Sequence, residues 1–399
     1  MDDEPTFITR VAIENYKSIA RCDVSLGPLT YLVGRNGAGK TNFLDALGFM
    51  ADSLRSSLES SIRSHGYIYR RRGGVFPPLG IRVEFRLADG RIGSYGFQIG
   101  EHHLGKQSSL HREECRVWHP GNGNKVHSFR VVDGIVESSS PITPASLPNH
   151  LYLVNASGLP EFAAVYKALA AIQVYALDAG RMRQSSSVGE EQVLVGDGSN
   201  IAGVVLHLTN RHPEIMHGII EYLQVILPGI EDVYSYAVGN SYQLAFKFGA
   251  GSEEERLGPE SMSDGTLRAL GVLVALLQQA PDENPLLSLI AIEEPETSLH
   301  PDAMAVLRDA LLDAREMAQV LVTTQSTDLL DNKDVDASWI RVVVAGDGGT
   351  QIGVLSDGTQ SIVRDHLATA GELFRTSPLR PVLPSRSLSV PGSATLFDG

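Results

Sequence analysis

The sequence predicts an α/β fold with a mostly parallel sheet core, an antiparallel β lobe and a helical insertion. Three observations predict it. The stretch LVGRNGAGKTN, residues 32–42, follows a short apolar run and precedes apolar residues at helical spacing. The run LIAI, continuously apolar, ends in two glutamates at 293 and 294, as a strand does when helices cover both sheet faces. Between them, from about 80 to 137, runs such as IRVEFRLADG, YGFQIG and SFRVVDG alternate or end in turn signals, the pattern of antiparallel strands.

Taken in order, FITRVAIENYKSI and RCDVSLGPLTYLVG read as strands, the second running into the glycine-rich stretch. Leu44, Leu47, Ala51, Leu54 and Leu58 then recur at spacings of 3, 4, 3 and 4, one face of a helix. SSSPITPASLP, 138–148, reads as an exposed connection. PEFAAVYKALAAI and PEIMHGIIEYLQVIL are helices that open on proline. Neither continues as heptads, so a long coiled coil is not expected. DGTLRALGVLVALLQQA is apolar nearly all round and predicts a buried helix. HPDAMAVLRDALLDAREMA puts Met304, Leu307, Leu311, Ala314 and Ala318 on one helical face, with Pro301 near its start, and QVLVTTQ is a second buried strand. The expected domains are 1–52 with 257–375 as core, 53–137 as β lobe, 149–256 as helical insertion with strands, and 376–399 as a mobile tail.

Composition narrows the class. A chain of 399 residues favours two lobes, and 43% hydrophobic with 20% charged residues suits a globular protein with a large core. Two cysteines, Cys22 and Cys115, support neither a disulfide framework nor a cysteine metal site, and a reducing cytoplasm is the expected location. The start MDDEPTFITR is acidic and unlike a secretory signal. LGVLVALL falls short of the ~20 residues that span a bilayer, so no membrane partner is expected. The net charge of −14 is uneven: residues 53–130 carry 13 Lys/Arg, Arg70, Arg71 and Arg72 among them, against 6 Asp/Glu, so 13 − 6 = +7. That asymmetry fits a surface for DNA or an effector protein, and equally a solvated face with scattered arginines.

Gly34-x4-Gly39-Lys40-Thr41 is a phosphate-loop pattern. Gly34, Gly37 and Gly39 let the backbone wrap closely, so that its amides and the following helix N-terminus can face a phosphate. Lys40 would reach the β- and γ-phosphates and Thr41 would ligate Mg²⁺. The bland alternative is a glycine-rich turn before a helix. At the end of the apolar strand, Glu293 is the candidate for the Mg²⁺ shell and Glu294 for orienting the attacking water, against the alternative of a charged turn. Glu296 is as readily solvent-facing as functional. Ser263 and Gly265 head the buried helix, either as a second anion site or as an ordinary cap.

GRNGAGKTN, MSDGT, IAIEEPETSLHP and LVTTQSTDLL, in that order, resemble the ABC-type ATPase heads of the RecF, SMC and OLD group, above all its stand-alone members without coiled coils. IENYKSI and TAGELFRTSPL are similar to segments that bracket those proteins, and the resemblance covers about 1–50 and 257–375. It implies a P-loop NTPase of ABC/RecF type using ATP and Mg²⁺. By the same resemblance Gly34, Arg35, Asn36, Gly37, Ala38, Gly39, Lys40, Thr41 and Asn42 form the Walker A loop. Glu293 is the Walker B acid, Glu294 the catalytic glutamate, SLHP the D-loop, and 262–266 the signature that contacts a nucleotide held by a second subunit. The implied protein is an ATP-dependent homodimer, a switch in DNA repair or defence against phage. One position departs: Gln325 stands where such heads usually carry histidine, and a glutamine amide hydrogen-bonds but carries neither proton nor charge. Gln98 is a candidate for the family's glutamine loop. About 75 residues follow Gln325 without an Asp-x-Asp cluster, so no appended nuclease is expected. Two rivals remain: a nucleotide-gated scaffold that holds an effector with little hydrolysis, and a small-molecule kinase on the same loop.

Overall fold

In a computed structural model, residues 7–66, 68–69, 77–102, 106–121, 125–147, 149–187, 189, 193–249, 254–279, 287–346, 348–376 and 379–383 are described, with backbone only for 101–102 and 106–109. Arg70, Arg71 and Arg72 lie outside them, as do 377–378 and 384–399 of the expected tail. The chain divides into two compact units: Met1–Ile172 with Asp336–Leu367 and Ser377–Gly399, and Gln173–Val335 with Ala368–Thr376.

In the first unit a seven-stranded sheet runs in the order Ile19–Ser25, Ile8–Tyr16, Leu79–Arg86, Ile92–His102, Lys106–Trp118, Val126–Val132, Ile135–Ser138. Every neighbouring pair is antiparallel. It takes in the two N-terminal strands, Ile8–Tyr16 and Ile19–Ser25, which lie in the segment 1–52 expected to belong to the core. Alternation along each strand sends Ile81, Val83, Phe85, Tyr95, Phe97, Cys115, Val117, Phe129 and Val131 to a buried face. Phe129 meets Tyr152 and Phe162 edge-on, with ring centroids at 4.8 and 5.2 Å.

The run RCDVSLGPLTYLVG is two strands, not one. Ile19–Ser25 closes the antiparallel sheet, whereas Leu29–Val33 pairs in parallel with Ile340–Gly346, which in turn pairs antiparallel with Gly349–Val354. Gly27–Pro28 separates them, since proline offers no ladder donor, and Gly27 N–H donates to Thr30 Oγ1 at 3.1 Å. Leu29–Val33 is buried at all five positions. The helix after the glycine-rich stretch spans Lys40–Arg55, and Leu58 opens a second one, Leu58–His65, whose start Ser57 caps through Ser60 N–H at 3.2 Å. The regular spacing to Leu58 therefore crosses a helix break. In the tail, Leu379 is buried and Val382 exchanges two backbone hydrogen bonds with Val354, at 2.8 and 3.2 Å.

His65 is an imidazolium clasped by the neighbouring helix. Its Nδ1 lies 2.8 Å from Asp45 Oδ1 and its Nε2 2.9 Å from Asp52 Oδ2. Asp45 also binds Lys17 Nζ and Tyr16 OH, each at 2.5 Å. Burial pulls the imidazole pKa down, but the hydrogen bonds it donates to both carboxylates overcome this and raise it from 6.5 to about 9. A raised folded-state pKa gives stability that is full below pH 6.5 and lost as pH rises through about 9. The loss is on the order of 3 kcal/mol, at about 1.36 kcal/mol per tenfold change in proton affinity. Denaturant unfolding at pH 6.5 and 9.5 is expected to show this fall in the wild-type chain and to flatten in His65→Gln; parallel pH curves for the two would contradict it.

In the second unit, Leu289–Glu293 pairs in parallel with Gln319–Thr324, with Glu293 opposite Thr323. The helix Asp264–Leu277 is buried at ten of its fourteen positions, as a helix apolar on all sides must be. Ala303–Arg315 buries Met304, Leu307, Leu311 and Ala314. A separate antiparallel sheet of Ile230–Val238, Ser241–Phe248, Glu255–Leu257 and Ser186–Ser187 stands beside the helices Ile201–Arg211 and Pro213–Ile226.

Candidate functional site

The glycine-rich stretch is built for close backbone approach. Gly37 and Gly39 have φ of 75° and 101°, a region that side-chain-bearing residues avoid. A Cβ on Gly34 would strike the carbonyl of Val343, and one on Gly39 would strike Thr350 Oγ1. Thr350 Oγ1 donates to Ala38 O at 3.0 Å and pairs with Ser18 Oγ at 2.6 Å, and Asn42 Nδ2 reaches Ser18 at 2.5 Å. Ser18 and Thr350 were not singled out in the sequence; they are 332 residues apart, and no local signal links them.

Lys40 is 4% exposed, and its ammonium donates to Gly34 O at 2.8 Å and Arg35 O at 3.3 Å. It opens a sixteen-residue helix whose first turn has no side-chain cap and no acidic residue. A positive helix end, with a lysine at the loop, is what a phosphate chain requires. Arg35, Asn36, Gly37 and Thr41 are exposed, whereas Ala38 is buried. ATP phosphates therefore fit this loop. Magnesium would add charge neutralisation on the phosphates, and the exposed Thr41 hydroxyl at this loop is a hard oxygen donor of the type it takes.

The other candidates belong to the second unit. Glu293 ends the strand Leu289–Glu293, and Glu294 leaves it with φ of 41°, its amide donating to Thr323 O at 3.0 Å and Thr323 Oγ1 at 3.1 Å. A non-glycine residue held in this region costs on the order of 1–3 kcal/mol and is typical of functional positions. Both carboxylates are half-buried. Gln325 is exposed just past Thr324. Glu296 is not simply solvent-facing: it hydrogen-bonds Thr324 Oγ1 at 2.5 Å and Gln325 N–H at 3.3 Å.

Ser263 is the N-cap of Asp264–Leu277, its Oγ accepting from Thr266 N–H at 3.1 Å. The bland reading of this serine is thus realised, while its exposure leaves it free to meet solvent as well. Gly265 is required by contact, since a Cβ there would strike the carbonyl of Ser298, itself at φ of 68°. Arg183, not anticipated from sequence, grips the same segment through Met262 O at 2.9 Å and Asp264 Oδ1 at 2.5 Å. Gln98 sits mid-strand opposite Gly80 and Arg112, within the antiparallel sheet.

The arginines of the β lobe are largely engaged. Arg112 and Arg130 converge on Glu114 at 2.7 and 3.1 Å, Arg91 pairs with Asp89 at 2.7 Å and Arg63 with Glu59 at 2.5 Å. Arg116 is exposed. Among the described residues no helix is long and apolar enough to cross a membrane.

A family model described as "AAA domain, putative AbiEii toxin, Type IV TA system" matches residues 29–331. A DNA replication and repair protein RecF of Paenarthrobacter aurescens (strain TC1) is 41% identical over 63 residues, 15% of this chain and 16% of that protein. An OLD nuclease of Thermus scotoductus (strain ATCC 700910 / SA-01) is 40% identical over 53 residues, 13% of this chain and 10% of that one. The chain thus spans about a sixth or less of these curated relatives. Among solved structures, an SMC head bound to the C-terminal winged-helix domain of ScpA superposes with a TM-score of 0.53 at 14% identity, over 88% of this chain and 99% of that one. A Pyrococcus furiosus SMC head with an extended coiled coil, bound to the C-terminal domain of ScpA, gives 0.50 at 12% identity, over 91% and 99%. The fold is that of an ABC-type ATPase head of the RecF, SMC and OLD group.

Proposed function

Because this chain belongs to the AAA-domain family of that type IV toxin–antitoxin description, we propose that it binds and hydrolyses ATP and works as a nucleotide-dependent dimerising switch. The observation that carries the reading is Lys40, buried at the start of an uncapped helix and bonded to the carbonyls of its own glycine loop. In this reading Lys40 trades those carbonyls for β- and γ-phosphate oxygens, and the loop amides from Gly34 to Asn42 surround the β-phosphate. Glu294 orients the attacking water, and the amide of Gln325 hydrogen-bonds the γ-phosphate. Thr41 and Glu293 hold Mg²⁺. Ser263 and Gly265 face the nucleotide of a second copy. The setting would be the cytoplasm, in DNA repair or defence against phage, with the β lobe at 53–130 meeting DNA or an effector.

Light scattering with and without ATP plus Mg²⁺ tests the switch: a monomer that becomes a dimer with nucleotide is expected, and an unchanged mass at saturating ATP would refute it. Duplex DNA titrated into the ATP-loaded sample at rising salt tests the lobe, where phosphate contacts make affinity fall steeply. Binding that is absent, or indifferent to salt, would remove DNA from the reading.

A second reading is favoured by Gln325, which offers no charge at the switch position: a nucleotide-gated scaffold that holds an effector and barely hydrolyses. Steady-state phosphate release from the isolated chain separates the two.

A further inference from the structure

The strands Leu289–Glu293 and Gln319–Thr324 leave their sheet side by side, one into Glu294 and the other into Gln325. Two residues beyond Glu294, Glu296 turns back across the gap. Its Oε1 accepts from Thr324 Oγ1 at 2.5 Å and from the backbone N–H of Gln325 at 3.3 Å. The same threonine oxygen accepts from Ser326 N–H at 2.9 Å, so one carboxylate and one hydroxyl set three successive residues. The other oxygen, Oε2, is closed off from solvent and has no hydrogen-bond partner among the described residues.

We propose that Glu296 is a positioning residue that fixes Gln325 relative to Glu294. The inference rests on the ATPase reading above and names how its switch residue is held. An exposed loop residue is free to wander unless something orders its backbone. Hydrogen bonds to a carboxylate are the strong kind, and here they come from both sides of the strand end. A carboxylate with one oxygen buried and unpaired is a poor choice for stability alone, because a buried unmatched acceptor is unfavourable. Burial raises its pKa, partly offset by the Thr324 hydrogen bond and reinforced by the nearby Glu294 charge. Such a residue suits a site where placement matters more than stability, since a 1 Å displacement near reacting atoms can lower a rate about 10²-fold.

Three variants test it. Glu296→Gln keeps an oxygen acceptor for both donors, Glu296→Ala removes it, and Thr324→Val removes one donor while preserving shape. Amide hydrogen exchange at Gln325 and Ser326 is expected to quicken at least about tenfold in Glu296→Ala and Thr324→Val, and to stay near wild type in Glu296→Gln. In ATP turnover, Glu296→Ala is expected to lower kcat about 10- to 100-fold with KM unchanged, and to add nothing to Gln325→Ala. Unchanged exchange at Gln325 in Glu296→Ala would overturn the proposal. So would wild-type kcat in Glu296→Ala alongside an inactive Glu294→Gln. A wild-type chain that hydrolyses no ATP would count against the ATPase reading instead, and the exchange result would still decide the tether.

Discussion

Glu294→Gln is expected to bind ATP as the wild-type chain does and to hydrolyse it about 10²–10⁴-fold more slowly, the usual range for losing a positioned base. The substitution is nearly isosteric, and the backbone it needs is held independently of the side chain. The Glu294 amide donates to Thr323 O and Thr323 Oγ1, and φ of 41° is as unfavourable for glutamine as for glutamate. Fold and loop geometry should therefore survive, leaving the change in charge as the difference. A head that binds ATP without hydrolysing it should accumulate as the dimer, and single-turnover hydrolysis with light scattering on one sample reads both. Wild-type turnover in Glu294→Gln would move the catalytic role elsewhere.

Lys40→Ala is expected to weaken ATP binding by at least about 100-fold, equivalent to about 2.7 kcal/mol. That is within what one charged hydrogen-bonding group supplies, about 1.5–3 kcal/mol per bond. Alanine is the best helix former, so the Lys40–Arg55 helix should persist. Titration with a fluorescent ATP analogue at fixed salt and Mg²⁺ checks it. Affinity within twofold of wild type would show that the loop does not hold the phosphates. The comparison with Glu294→Gln is informative: one variant should fail to bind, the other should bind and stall.

Several features are legible in the sequence alone because their signals are local. A short, mostly apolar strand, a run of closely spaced glycines and an amphipathic helix beginning at Lys40 follow one another directly along the chain, and the structure has strand Leu29–Val33 and helix Lys40–Arg55 there. The helix Asp264–Leu277 and the strand ending at Glu293 were equally plain from composition and length. Errors fell where a local signal was overridden. Gly27–Pro28 splits one apparent strand between two sheets, and Ser57 starts a new helix inside an unbroken leucine spacing.

Adjacent, identical residues mark the limit of such reading. Glu113 and Glu114 are neighbours on the strand Lys106–Trp118, and alternation sends them to opposite faces. Glu113 is fully buried, accepting from Tyr95 OH at 3.0 Å and from Leu153 N–H at 2.8 Å, and burial lifts its pKa to about 7 against the pull of those donors. Glu114 instead gathers Arg112 and Arg130. Composition counted both as equal charges.

The sequence by itself determined the kinds of element, the order of the motifs and the glycine spacing of the loop, because these follow from residue type and spacing along a few turns of chain. Only the tertiary structure decided that Ser18 and Thr350 support the loop, that His65 is held charged between Asp45 and Asp52, and that Glu296 reaches Gln325. Each of these joins residues from separate elements, 13 to 332 positions apart. A pairing across such distances is set by how whole strands and helices come to lie together, and no short window of sequence contains that information.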